Sequence, residues 1–155
     1  MRRKEKEITD RNALDAIIDN AEICHLSCCL NDRPYVIPIS FGYDGERIYF
    51  HTARSGKKID IFLKNPQVCL GFETNIKLNT DQENACGWSF YFQSVIASGQ
   101  IEEITDLDQK INGMNQIMHH YSNKNWSIPQ KAIRNTKLWQ VRINTITGKG
   151  SPAKK

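Results

Sequence analysis

The sequence predicts an α+β protein, mainly β, in which about six antiparallel strands form a nearly closed barrel surrounded by helices. Three observations support this. The apolar period changes from helical to strand-like near residue 22, short turns join most strands, and 155 residues suffice for one core but not for two. The expected strands are 22–30, 35–43, 47–52, 67–74, 88–104 and 138–143.

Helix starts are predicted from capping residues. Thr9 or Asp10 precedes apolar residues at helical spacing and caps a first helix. Ser55 caps a second, short helix, and Thr105 begins a third in the manner of a capping box. A short fourth helix is expected at 129–134.

Turn and breaker residues place the strands. The Asp44-Gly45 pair predicts a tight hairpin, and Gly99 predicts a bend in the long fifth strand. Pro38 interrupts a good strand pattern and donates no backbone hydrogen bond. That strand therefore lies at an edge, carries a bulge, or uses a ligand in place of a partner strand.

The composition limits the function classes. The 39% hydrophobic and 25% charged shares are those of a soluble globular protein, and no apolar run approaches the roughly 20 residues of a membrane span. No apolar signal region follows the charged first residues, so a cytoplasmic location without membrane association is expected. One domain over 1–155 is predicted, with 1–7 and 149–155 as flexible tails.

The net charge of +4 does not predict a nucleic-acid partner. Seven of the 21 basic residues fall in the two tails, and the densest basic feature of the body is a spot at 54–58. An oligonucleotide-binding barrel needs a basic stripe with interleaved aromatic residues. No metal site is expected either, because the five cysteines form no CxxC pair and the adjacent His119 and His120 point apart on a helix.

Residues 48–58, IYFHTARSGKK, form the segment with the clearest chemistry. A strand ends at Thr52 and a helix begins near Ser55, so hydroxyls, Gly56, two lysines and the free N–H groups of a helix start converge. Such a convergence suits a phosphate. The alternative is an ordinary basic surface turn. Neither a Walker loop nor a GxGxxG motif is present.

Four blocks resemble the pyridoxamine 5′-phosphate oxidase-like family, in the branch that contains the 5-nitroimidazole-resistance flavoproteins. They are RPYVIPISFGYDGERIYFHT (33–52), SGKK followed after six residues by NPQVCLGF, CGWSFYFQSVIASG (86–99) and LWQVRINTITGK (138–149). The resemblance implies a six-stranded split barrel of Greek-key topology that binds FMN or, alternatively, FAD. It also implies a homodimer with the flavins at its interface.

The resemblance assigns roles to individual residues. Lys58 matches the phosphate lysine and Lys57 its basic neighbour, within the turn that includes Ser55 and Gly56. Thr52 matches the threonine that closes the third strand. His51, just before it, is the candidate catalytic residue: it could bond the cofactor, contact a substrate or protonate a product. His25, by contrast, is interpreted as structural.

The same resemblance places the flavin ring along the second strand, at Ile37, Pro38, Ile39 and Ser40. Ser94 matches a polar position that reaches the flavin from the second subunit. Nearby aromatic residues belong either to the dimer interface or to the barrel core: Trp88, Phe90, Tyr91 and Phe92.

Two departures from the vitamin oxidases argue against oxidation of pyridoxamine phosphate. Ile37 stands where those enzymes carry a phosphate-binding arginine, and their C-terminal arginine motif has no match after Trp139. The expected function is electron transfer from a reduced nicotinamide, NADH or NADPH, through the flavin to a small acceptor such as a nitroaromatic. The alternative is a non-enzymatic flavin- or haem-binding protein used for sensing or storage.

Overall fold

A computed structural model describes residues 3–151 of the chain. The strands are β1 (Glu7–Ile8), β2 (Cys24–Leu30), β3 (Arg33–Ile39), β4 (Gly42–Tyr43), β5 (Arg47–Thr52), β6 (Gln67–Asn79), β7 (Ser89–Ile104) and β8 (Lys137–Ser151). The α-helices are α1 (Arg11–Asp19), α2 (Lys57–Lys64), α3 (Leu107–Ser122) and α4 (Gln130–Arg134), with short 3₁₀ turns at Lys4–Lys6 and Ala85–Gly87.

All strands belong to one antiparallel sheet in the order β3-β2-β6-β7-β8-β5-β4, with β1 on β8. The chain runs from β3 through two residues into β4, so the first and last strands of this order are neighbours along the chain. The sheet must therefore curl back on itself, which confirms the barrel. Alternate side chains point inward and form its core, including Leu26, Phe41, Phe50, Leu70, Phe72, Val95, Trp139 and Val141.

The described residues contain eight strands, not the predicted six. One additional strand arises because the chain breaks its pairing at Ser40 and Phe41, which divides the predicted second strand into β3 and β4. The other is β1, in which Glu7 and Ile8 pair with Lys149 and Gly148.

Glu7 and residues 149–151, which belong to the predicted flexible tails, therefore lie in paired strands. The physical reason is close packing: a Cβ added to Gly148 would lie 2.2 Å from the Leu14 side chain and 3.1 Å from that of Ile8. Glycine thus lets the first strand and α1 cover the end of β8. Residues 1–2 and 152–155 lie outside the described residues.

Helix starts follow the sequence prediction at one helix and differ at two. Asp10, one of the two predicted caps, caps α1 by accepting from the Ala13 N–H at 2.8 Å. The cap of α3 is Asp106, which accepts from the Gln109 N–H at 2.9 Å, and not Thr105. The cap of α2 is Gly56, with no side-chain bond from Ser55.

The Asp44-Gly45 hairpin and the bend at Gly99 are confirmed. Gly45 has φ +94°, and Asp44 Oδ1 accepts from the N–H groups of Glu46 and Arg47 at 2.9 and 2.7 Å. At Gly99 the register of β7 against β8 shifts, and a Cβ would lie 2.0 Å from the Arg142 carbonyl oxygen. Within residues 3–151, no helix combines the length and the apolarity required to cross a bilayer.

Candidate functional site

An opening in the barrel wall separates β3 from the end of β5. The pairing of β4 with β5 stops at Gly42 and Tyr49, and within the described chain β3 pairs with β2 alone. Continuing the β4–β5 register would set Ser40 against His51, yet no pairing is made there. We call this opening the split; it is bordered by β3 on one side and by the end of β5 and the start of α2 on the other.

The edge position of β3 explains how a proline is tolerated there. Pro38 lies opposite His25 of β2, and its outer side has no partner strand in the described chain. Side chains alternate along β3: Ile37 and Ile39 are buried in the core, whereas Pro38 and Ser40 are exposed. A ligand on the outer face would therefore meet Pro38 and Ser40 directly, but only the backbone of Ile37 and Ile39.

The turn after β5 is fixed from the core. Thr52 is buried, donates its hydroxyl to the Ala53 carbonyl at 2.8 Å and accepts from the Trp139 indole N–H at 2.9 Å. The Thr52 O–H is thus used within the protein. Its observed contribution is to hold the turn at the position from which α2 begins.

Aromatic packing fixes α2 behind this turn. The ring of Phe62 packs edge-on against Trp139 at 5.3 Å and against Phe50 at 6.1 Å between ring centroids. At the far end of the helix, Asn65 donates to the Cys29 carbonyl at 2.8 Å. The helix start therefore cannot move without disturbing the barrel core.

The start of α2 is open to a ligand. Gly56 has φ +134°, a conformation that L side chains rarely adopt, and it caps the helix with its backbone alone. Its carbonyl accepts from the N–H groups of Ile59 and Asp60, while those of Lys57 and Lys58 precede the first intrahelical bonds. These are the donors that an anion would use.

The two lysines occupy different surroundings. The Lys57 ammonium lies 4.5 Å from the centroid of the Tyr35 ring, which places the start of α2 beside β3, across the split. Lys57 also lines a recess of about 460 Å³ with Arg33 and Asp60. The Lys58 side chain is half-buried. The structure therefore brings the predicted phosphate turn and the predicted ring-binding strand together.

His51 lies on β5 between buried Phe50 and Thr52, with its own side chain exposed at the border of the split. Within residues 3–151, its imidazole forms no hydrogen bond or ion pair. It is therefore available to a ligand in the split.

Ser94 lies elsewhere. It is on β7, in register with Glu73 and Lys149, and β2 and β6 separate that strand from β3. Its hydroxyl donates to the Lys149 carbonyl at 3.5 Å. Within this chain Ser94 does not border the split.

The aromatic residues of the β6–β7 hairpin are exposed at its far end. Trp88 and Phe90 are 50% and 53% exposed, and Tyr91 and Phe92 are half-buried. None of the four belongs to the barrel core. Of the two alternatives, core or dimer interface, the core position is therefore wrong.

Reasoning from the sequence did not identify a further polar pair on the outer face of the sheet. His25 Nδ1 lies 3.3 Å from Glu73 Oε2, and both side chains line a cleft of about 580 Å³. The prediction that His25 is structural rested on its position in a strand with Cys24 and Cys28. Those two thiols are buried, but strand alternation turns His25 outward.

The pyridoxamine 5′-phosphate oxidase family model matches residues 10–150, which is most of the chain. The chain belongs to this family. Among the curated relatives, a Rhizobium meliloti protein of unassigned function is 25% identical over 127 residues, or 80% of this chain and 69% of its own.

Three solved structures show the same fold. A proposed 5-nitroimidazole antibiotic resistance protein from Bacteroides thetaiotaomicron is 33% identical with a TM-score of 0.82, over 92% of this chain and 85% of its own. A flavocytochrome from Azotobacter vinelandii has a TM-score of 0.82 at 22% identity, covering 99% and 72%. The FAD and heme binding protein from Mycobacterium smegmatis has a TM-score of 0.82 at 18% identity, covering 97% and 77%.

Proposed function

We propose that the protein is a flavin-nucleotide-dependent oxidoreductase that binds FMN in the split and reduces small acceptors such as nitroaromatics. The observation that carries the proposal is the geometry of the split. On one side is an exposed strand edge that has no partner strand in the described chain, and on the other is a helix start with two lysines and no side-chain cap. FAD is the alternative cofactor, since the same phosphate turn suits either flavin. When bound, the flavin supplies two-electron transfer between a reduced nicotinamide and the acceptor.

The residues at the turn fit a flavin phosphate. The backbone N–H groups of Lys57 and Lys58 and the positive end of the α2 dipole provide donors and charge at one point. Gly56 adds no side chain at the approach, and Ser55 is exposed beside it with its hydroxyl free to donate. Lys58 adds a compact charge.

The β3 edge fits the flavin ring. Pro38 and Ser40 are exposed, and the outer backbone of the strand lacks a partner strand in the described chain. A planar ring with hydrogen-bonding edges satisfies both features. His51, across the split, is the candidate to bond the ring or the acceptor.

A homodimer is part of the proposal. Three apolar side chains are more than half exposed on the outer faces of β3 and β7: Val36, Phe90 and Ile96. Exposed apolar surface of this kind is typical of an interface. Ser94, remote from the split of its own subunit, could reach a flavin only in a second one.

Two structural neighbours are described as a flavocytochrome and as a FAD and heme binding protein, which supports testing a non-enzymatic haem- or flavin-binding role. The exposed imidazole of His51 is the candidate haem ligand. A Soret band on haem addition that His51→Ala removes would support this alternative, and steady-state turnover with a nicotinamide donor would exclude it.

The test of the main proposal is mass spectrometry of the ligand released from purified protein, together with titration by FMN and FAD. Visible flavin absorbance and saturable uptake are expected. Protein that carries no flavin and takes up none on titration would contradict the proposal.

A further inference from the structure

The polar pair on the outer face of the sheet lies next to the strand edge that the flavin would use. Along this face, His25 of β2 is the direct cross-strand partner of Pro38 on one side and of Gly71 on the other. Directly opposed side chains in an antiparallel pair have Cβ atoms roughly 5 Å apart. A ring lying on β3 at Pro38 would thus be one strand away from His25.

Glu73 orients the His25 imidazole. It lies on β6, two residues beyond Gly71 and on the same face, and its Oε2 is 3.3 Å from His25 Nδ1. Because Nδ1 faces the carboxylate, Nε2 is the ring nitrogen left for another contact. A histidine with one nitrogen on a carboxylate and the other directed elsewhere is the arrangement used in general acid–base catalysis.

The two side chains open into a cleft of the size that small molecules use. Its volume is about 580 Å³, within the range of ligand pockets. A bend in β6 shapes one wall: Asn75 has φ +54°, and the β6–β7 register shifts between Thr74 and Lys77. Exposed Ile23 and Ile76 supply apolar surface.

We propose that this cleft binds the electron acceptor and that His25, oriented by Glu73, donates a proton to it. The proposal rests on the flavin function proposed above and adds to it the acceptor site and the proton donor.

The chemistry balances for a nitroaromatic acceptor. Nitrobenzene gains a hydride, which comes from the reduced flavin, and a proton, which comes from the His25 imidazolium. One N–O bond breaks, the oxygen leaves as water, and nitrosobenzene remains. His25 then regains its proton from solvent, which its half-exposed side chain contacts.

The charge of the cleft selects the class of acceptor. Besides His25, the charged side chains that line it are the carboxylates Glu22 and Glu73; the remaining polar lining groups are Asn20, Thr74 and Asn75. An anionic acceptor would be repelled. The site therefore suits uncharged or cationic planar acceptors and not phosphorylated or carboxylated ones.

The kinetic experiment uses FMN-loaded protein, reduced anaerobically and mixed with nitrobenzene in a stopped-flow instrument. His25→Ala should slow flavin reoxidation by about a hundredfold, the usual contribution of a general acid. Added imidazole should restore much of that rate by occupying the vacated space. Glu73→Gln should cause a smaller loss that imidazole does not restore, because the donor is still present.

The matched control is His119→Ala, which removes an exposed histidine on α3 outside the cleft. It should reoxidise at the wild-type rate with or without imidazole. Wild-type rates in His25→Ala, or a loss that imidazole does not change, would overturn the proposal.

A binding measurement tests the site independently of turnover. Nitrobenzene added to the oxidised protein should shift the NMR signals of the His25 ring and leave those of His119 unchanged. The anion para-nitrobenzoate should bind more weakly than nitrobenzene, and Glu22→Gln should reduce this difference in affinity. Equal shifts at both histidines, or preference for para-nitrobenzoate, would overturn the acceptor site. If the protein binds no flavin, the proposed function itself is contradicted. If it binds flavin but the His25→Ala rate and the His25 NMR signals are unaffected, only the acceptor-site proposal is contradicted.

Discussion

The turn between β5 and α2 and the cleft beside His25 assemble their polar groups in opposite ways. The turn takes its groups from consecutive residues, 51–58, and the core holds it from behind through Phe62 and Trp139. The cleft takes its central pair, His25 and Glu73, from two strands that meet through sheet pairing, and both side chains are half-exposed to solvent. A pattern search along the chain finds the first kind of site and misses the second.

Substitutions in the two regions should also affect different properties of the protein. Changes behind the turn should cost folding free energy together with ligand affinity. Changes in the cleft should alter reactivity with little effect on folding, since exposed side chains contribute little to packing.

The largest expected effect is on stability behind the turn. Phe62→Ala removes a buried ring between Phe50 and Trp139 and should lower the free energy of unfolding by about 3–5 kcal/mol. Urea unfolding measures it. Leu63→Ala is the matched control on the same helix: its side chain is 68% exposed, and the change should stay within about 0.5 kcal/mol. Equal losses would mean that α2 is not anchored through Phe62.

The next effect is on cofactor affinity at the turn. Lys58→Gln removes a charge beside the open helix start and should weaken FMN binding about tenfold, or about 1.4 kcal/mol. Quenching of flavin fluorescence gives the dissociation constant. Lys64→Gln makes the same change at the exposed far end of α2 and should leave affinity nearly unchanged. Similar losses in both variants would point to a diffuse charge effect and not to a phosphate site.

A smaller effect is expected at the bond that holds the turn. Trp139→Phe removes the indole donor to the Thr52 hydroxyl, a bond that contributes about 1 kcal/mol of stability, together with part of a buried ring. Thr52→Val breaks the same bond from the other side. If the bond is the shared cause, the double variant should lose clearly less than the sum of the single losses, as a double-mutant cycle would show. Full additivity would contradict this.

The smallest effect concerns acid stability at the closed end of the split. Burial alone would raise the pKa of the Asp44 carboxyl, but hydrogen bonds from Tyr49 and from two backbone N–H groups hold that pKa below its usual range. Burial, with the bond to Asp44, raises the pKa of Tyr49 to about 12, so the phenol stays a donor at lower pH.

The direction of the pH effect follows from the depressed pKa. The stability that Asp44 contributes is present above the unfolded value of about 3.9 and is lost as the pH falls through the lower folded value. The relevant range is therefore roughly pH 5 to 2.5. As the pH is lowered through it, the free energy of unfolding should decrease less in Asp44→Asn than in the wild type. Parallel curves would contradict the assignment.

Sequence patterns anticipated most local features of the fold. The Asp44-Gly45 hairpin and the bend at Gly99 were predictable because each depends on the backbone preferences of one or two residues. The Asp10 cap and the edge position of Pro38 were each among the predicted alternatives for the same reason. The turn that leads into α2 was predictable for the same reason.

The incorrect predictions are of two kinds: the choice between neighbouring residues as a helix cap, and the pairing of strands distant in sequence. Ser55 and Thr105 were plausible caps, but Gly56 and Asp106 occupy those positions. At α3 the Asp106 carboxylate, one residue later, accepts from the Gln109 N–H instead. The pairing of Glu7 and Ile8 with β8 depends on residues at the other end of the chain, which local preferences do not register.

By itself, the sequence determined the barrel class, the family and the basic turn, because these follow from periodicity and from residues adjacent along the chain. The tertiary structure decided that β3 parts from β5 to leave the split, and that His25 faces Glu73 beside Pro38. Both depend on strand register. A shift of one residue would turn His25 into the core and Cys24 outward, and that register is set by the burial of the whole sheet.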